Sequence, residues 1–341
     1  MQCYSSVDSC KNYLQASLKS YRLGNAKTIG SQLKLSGDSI DESLSMLMRT
    51  RLSSTDRLLI SKFSNARQRG LLAARRGDFN AAESAFTAAR LLLKLKQLSD
   101  EGSLLYQSFL EQAEAYLDYR RGEFEQARNR IYQALEIDMI LEEKYGYEIV
   151  LFGRIQLVHN LVRIDAGCME LHRSTKLAFQ ILGYLDGILD TLPIPGLWGY
   201  ERVKRQRAEF VAAMFAQVTG EIATILAGKD RQFVSDLLTV GSNYMPICPD
   251  ETYHCHPQAY AWLLVKQAFI NHEVATFLER ASEFLAKGSN DTPLLWYATL
   301  ADLVALCDEL ALPESNLLKQ EIVKDAATWK GIPQRLLSLF H

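Results

Sequence analysis

The chain has 341 residues, 48% of them hydrophobic and 23% charged, with 38 basic against 40 acidic side chains. These values match an ordinary globular protein and exclude an intrinsically disordered polymer. Residues 1–192 alone balance 25 basic against 23 acidic groups, which excludes a polycation that holds nucleic acid by bulk charge. The apolar stretches 259–265 and 300–306 fall well short of the roughly 20 residues of a membrane helix, so no membrane contact is expected. The opening MQCYSSVDSC lacks the basic and apolar pattern of a signal peptide, and the six cysteines are scattered. Together these predict a cytoplasmic chain with free thiols.

Residues 1–192 contain no proline, which permits long uninterrupted helices. A helical cap is predicted over 1–58, with a break at SGDSIDES (36–43). Beyond it, Leu59, Phe63, Ala66, Gly70 and Ala73 recur at steps of three and four, the stripe of an amphipathic helix. No stretch alternates with period two, so the fold class is all-α. Further breaks are predicted at 99–103, 143–148, 191–199, 241–257, 287–293, 311–315 and 330–333.

One internal repeat stands out. GLLAARRGDFNAAESAFTAARLL (70–92) aligns without gaps to AYLDYRRGEFEQARNRIYQALEI (115–137), 45 residues later. Gly70, Gly77-Asp78-Phe79, Ala82, Phe86 and Ala89 correspond to Ala115, Gly122-Glu123-Phe124, Ala127, Ile131 and Ala134. Small residues let two antiparallel helices approach, and the aromatic after the turn plugs the wedge between them. This pattern resembles the tetratricopeptide repeat. The usual period of that family is about 34 residues, and the 11 extra here are about three helical turns, so longer helices are implied. Where the family ends its repeat with proline, Lys94 and Met139 stand instead.

The resemblance implies a right-handed superhelical array of antiparallel helix pairs over 59–192. A further step of 45 reaches Gly167, with His172 and Lys176 in place of the small and bulky residues, a degenerate third unit. Residues 259–288 form a plausible helix pair without the signature glycines. All eight prolines and all four tryptophans lie beyond residue 192, which marks 193–341 as a separate helical region with proline-rich loops.

The first helix of each pair lines the binding groove in the resembled family. Carried over by position, Arg67 and Arg75 would line it from the first unit, and Gln112, Tyr116, Tyr119 and Arg120 from the second. Arg57, Lys62, Arg67, Arg69, Arg75 and Arg76 lie between Asp56 and Asp78 with no acid among them. Such a run suits an acidic peptide, a carboxylate terminus or phosphates. Alternatively, Lys62, Arg69 and Arg76, spaced by seven, form a solvated stripe or pair with acids of neighbouring helices.

Arg202, Lys204, Arg205 and Arg207, predicted at a helix start, are a second candidate contact. Cys248, His254, Cys255 and His256 fit no zinc pattern, and Glu251-x-x-His254 occurs once and between prolines, so neither metal nor cofactor is expected. His159, His172 and His272 fall in helical contexts. The expected function is therefore a non-enzymatic protein- or peptide-binding adaptor or regulator. The alternatives are an all-α enzyme using the 241–257 loop and a nucleic-acid binder using the groove arginines.

Overall fold

A computed structural model describes residues 4–29, 37–95, 98–245 and 256–341, and every described element is helical. In chain order these are α1 (Tyr4–Ile29), α2 (Gly37–Arg51), α3 (Ser54–Arg76), α4 (Phe79–Leu95), α5 (Asp100–Arg121), α6 (Phe124–Tyr145), α7 (Val150–Gly167) and α8 (Leu171–Leu185). They continue as α9 (Tyr200–Lys204), α10 (Ala208–Leu226), α11 (Arg231–Ser242), α12 (Pro257–Ile270), α13 (Val274–Leu285), α14 (Pro293–Leu310), α15 (Pro313–Ala326) and α16 (Gln334–Leu337). Of the break expected at 36–43, residues 37–43 instead form the first part of α2, and Ser36 lies outside the described residues.

The chain forms two compact units. The central one comprises Leu35–Leu177 with Leu189–Phe210, and the terminal one Met1–Lys34, Ala178–Ile188 and Val211–His341. This division differs from the one drawn from composition at 58 and 192. Residues 4–29 in particular do not group with the repeats.

In the central unit the repeated sequence becomes repeated geometry. At the end of α3, Gly77 takes φ +81°; its N–H bonds Ala74 O at 3.2 Å and that of Asp78 bonds Ala73 O at 3.0 Å. At the end of α5, Gly122 takes φ +80°, with matching bonds to Tyr119 O and from Glu123 to Asp118 O. This paired left-handed helix stop ends one helix and turns the chain into the next. Ala82 and Ala127, fully buried, lie one turn into each second helix. Gly70 sits so close to the Phe86 ring that a Cβ there would come within 2.5 Å of it.

The third pair, α7 and α8, uses the same stop with different residues. Met169, at φ +63°, bonds Ala166 O, and Glu170 bonds Asp165 O. The structural counterpart of Gly122 is therefore Met169, 47 residues on, and not Gly167. In that register the small second-helix position falls on Ser174, fully buried, whose hydroxyl donates to Val162 O at 2.8 Å. His172 and Lys176, which looked like degenerate core positions, are exposed.

Polar ties hold the central pairs together. The carboxylate of Asp56, at the start of α3, accepts the N–H and hydroxyl of Ser99 at 3.0 and 2.9 Å and the hydroxyl of Ser53 at 3.0 Å, joining the caps of α3 and α5. Glu111, Glu114 and Asp118 of α5 are buried, gripped by Arg90 from α4 and Arg130 from α6.

In the terminal unit α1 packs along α13 and α15. Tyr21 donates to Asp325 at 2.6 Å, Ser17 meets Ser282 at 2.8 Å, and Gly24 lies against the main chain at Leu285. Residues 4–29 therefore pack with the C-terminal helices of their own unit. The pair α12 and α13 repeats the stop once more: His272 at φ +58° bonds Phe269 O, and Glu273 bonds Ala268 O. Gly-Asp-Phe, Gly-Glu-Phe, Met-Glu-Leu and His-Glu-Val are thus one motif, a left-handed residue, an acid and an apolar side chain. His272 belongs to this turn and not to a helix. Among the described residues α10 alone is long and apolar enough to cross a membrane, a stretch the reading of apolar runs overlooked; more than half of it is buried in the fold.

Candidate functional site

The candidate surface lies on α3 and α5 of the central unit. Gln112, Tyr116 and Arg120 stand at steps of four on α5, one above another on a single helix face. The Arg120 guanidinium lies 5.9 Å from the centre of the Tyr116 ring, and its Nη1 donates to the Tyr116 hydroxyl at 3.0 Å and to the carbonyl of Arg75 at 3.3 Å. The main chain of Arg75 and the side chains of Tyr116 and Arg120 are therefore brought together. Arg75 and Arg120 are exposed, and among the described residues no carboxylate engages either.

The other expected residues are placed less freely. Gln112 donates to the Ser108 hydroxyl at 3.1 Å, and Ser108 donates to Asp138 at 2.6 Å, so its amide is the outer end of a chain that runs into the core. Burial pushes the Asp138 carboxyl up to about 7, against the opposing pull of Ser108 and Arg154. Tyr119 packs on Phe124 with ring centres 5.9 Å apart, and the Phe124 ring, backed by Tyr119, leaves no room for a side chain at Gly167. Arg67 is half-buried, its guanidinium 5.1 Å from the Phe109 ring centre.

Of the 202–207 cluster only Arg202 is tied into the fold, while Lys204, Arg205 and Arg207 are exposed. Arg202 meets Glu142 at 2.7 Å and the Leu197 carbonyl at 2.8 Å, Lys204 meets Glu201, and Arg207 reaches Glu209 at 3.5 Å. Only the helix Tyr200–Lys204 forms there, with Arg205 and Arg207 in the turn that follows. Arg205 helps line a small surface cleft with Glu142, Glu148 and Arg202. Behind it stands Arg154, fully buried, paired with Glu142 and 4.6 Å from the Trp198 ring centre. Sequence reading missed this anchor of the proline loop; the close approach required of Gly196 was its one local signal.

No protein-family model, no curated protein and no solved structure matches this chain.

Of the Cys/His loop, Cys248, Glu251, His254 and Cys255 lie outside the described residues. His256 caps α12, its Nδ1 accepting from the Ala259 N–H at 3.2 Å. His159 is fully buried against Gln156, and burial, with Arg163, holds its pKa well below the ordinary value. His172 is exposed.

Proposed function

We propose that this chain is a non-enzymatic helical-repeat protein, a longer-helix relative of the tetratricopeptide arrangement with right-handed superhelical stacking. It binds an acidic peptide segment or a carboxylate terminus across α3 and α5 and serves as an adaptor or regulator. The observation that carries this reading is the cluster of Arg75, Tyr116 and Arg120. Neighbouring arginines of the central unit, among them Arg90, Arg121, Arg128 and Arg130, are each committed to a carboxylate of the fold. Arg75 and Arg120 are not, and the Arg120 guanidinium, held beside the Tyr116 ring, suits bidentate capture of carboxylate oxygens. The tether from Arg120 to the Arg75 carbonyl keeps the fork in place and leaves N–H groups over for a ligand.

The test is a peptide array of acidic and C-terminal sequences probed with the full chain and with an Arg75→Glu/Arg120→Glu variant. Binding of a defined acidic subset that the variant loses supports the reading. An unchanged pattern, or binding with no preference for acids, contradicts it.

A further inference from the structure

A second surface lies on the opposite side of α3 from its buried stripe. Leu58, Lys62, Asn65, Arg69, Leu72 and Arg76 follow one another at steps of four and three and so share one face. All six are exposed, Leu58 at 57% and Leu72 at 41%. Among the described residues Lys62, Arg69 and Arg76 have no ion pair, so the stripe is neither paired with acids of neighbouring helices nor part of the cluster around Arg120. The nearby acid, Asp78, is engaged at the start of α4, accepting from the Ala81 N–H at 3.0 Å.

The repeat explains what this face is built for. Forty-five residues on, the same positions of α5 are Ser103, Gln107, Leu110, Glu114, Leu117 and Arg121. There the face is covered: Leu110, Glu114 and Leu117 are buried, Glu114 pairs with Arg90 of α4, and Arg121 pairs with Glu83 of α4. In α5 this is thus the face that receives a helix of the preceding pair. In α3 it is open, although α2 precedes α3 as α4 precedes α5, because Leu44, Leu47 and Met48 of α2 pack on the common core instead. The charge is also inverted, with Arg69 where α5 has Glu114.

We infer that the open face of α3 docks an amphipathic helix of another protein, one that carries acidic residues at seven-residue spacing beside an apolar stripe. Lys62, Arg69 and Arg76 are seven residues apart, roughly 10.5 Å of helix rise, and a second helix repeats on the same interval. Leu58 and Leu72 supply apolar ground between and beyond the charges. The stripe has no aromatic side chain on which a base could stack, so a helix fits it better than a nucleic acid. This inference does not rest on the Arg120 cluster, which faces elsewhere.

The probe is a fluorescein-labelled synthetic peptide of residues 79–95, the α4 sequence, with Arg90→Glu. It carries acids at 83 and 90, and the unsubstituted peptide is its charge control. Fluorescence anisotropy with the full chain should show the substituted peptide binding about tenfold more tightly than the control. Arg69→Glu/Arg76→Glu should abolish that preference, and Leu58→Ser/Leu72→Ser should weaken both peptides, while all variants keep the wild-type circular dichroism because these side chains are exposed. Arg120→Ala should leave the anisotropy unchanged, which separates failure here from failure of the proposed function. Equal binding of the two peptides, or binding indifferent to Arg69→Glu/Arg76→Glu, would overturn the inference. So would a chain that is already dimeric by sedimentation and becomes monomeric on Arg69→Glu/Arg76→Glu, since a second copy would then be the occupant. A labelled DNA oligonucleotide that binds and displaces the peptide would also overturn it.

Discussion

Arg120 donates to the main-chain carbonyl of Arg75, and the two residues hold the same place in successive helix pairs. A repeat that aligns by sequence is here bonded to itself, and the bond fixes the C-terminal ends of α3 and α5 side by side. Because the bond is single, long at 3.3 Å and exposed, it adds little stability. Its main consequence is positional.

Arg120→Ala is accordingly expected to leave the melting temperature almost unchanged and to weaken binding of an acidic peptide by about 1–3 kcal/mol, the range of interface anchors. Tyr116→Ala should weaken binding similarly. Isothermal calorimetry beside thermal denaturation checks both. If melting of Arg120→Ala falls in step with affinity, its side chain is a structural support; Tyr116, whose ring also packs on the core, is read from binding alone.

The register of the third helix pair can be tested by overpacking. Ala82→Leu and Ala127→Leu put three extra heavy atoms into fully buried sites and should each destabilise by about 1–3 kcal/mol in urea unfolding. Ser174→Leu should behave the same way. His172→Leu, on an exposed position, should change stability by no more than about 0.5 kcal/mol. A costly His172→Leu with a neutral Ser174→Leu would restore the 45-residue register.

These substitutions also mark where the sequence was readable. The first two pairs were legible because glycine occupies the left-handed position in both, followed by an acid and phenylalanine. The third was not. Met169 adopts the same left-handed φ without being glycine, two residues later than the repeat spacing suggests, and Gly167 drew the alignment to the wrong place. His272 hid a fourth turn in the same way. The partnership of α1 with α13 and α15 joins residues about 300 apart, as Tyr21 with Asp325, and no local pattern encodes it. Of the candidate site, the alignment itself paired Arg75 with Arg120. What it could not supply was that Gln112 leads into a buried chain, or that Arg202 is spent on Glu142.

The α1 contact gives its own prediction. A Cβ on Gly24 would lie 1.9 Å from the carbonyl oxygen of Leu285, a main-chain atom that cannot move aside alone. Gly24→Ala should therefore loosen α1 and destabilise by at least about 1–3 kcal/mol despite alanine's better helix propensity. Limited proteolysis at the N-terminus alongside chemical denaturation would read it. A stabilised variant would show that α1 does not pack there.

Two buried acids should give stability opposite dependences on pH. Burial tends to raise the Asp56 carboxyl, but its bonds from Ser99 and Ser53 outweigh burial and lower it. Its contribution is complete above the unfolded carboxylate value of about 3.9 and is lost as pH falls through the lower folded value. Asp138 is raised by burial to about 7, so the fold holds a proton there that the unfolded chain releases. Its ionisation costs stability progressively as pH rises from about 4 to about 7, and the cost persists above. Asp138→Asn should therefore stabilise at pH 8 relative to wild type and show a smaller gain near pH 4, while Asp56→Asn should destabilise at neutral pH. Urea midpoints across that range test both signs.

The most direct measurement of the central claim is hydrogen–deuterium exchange of the full chain with and without an acidic peptide selected on the array. Protection concentrated in peptides spanning 67–76 of α3 and 112–121 of α5 is the predicted result. Protection confined to 200–207 or to 241–257, with α3 and α5 unchanged, would contradict it and place the binding surface elsewhere in the chain.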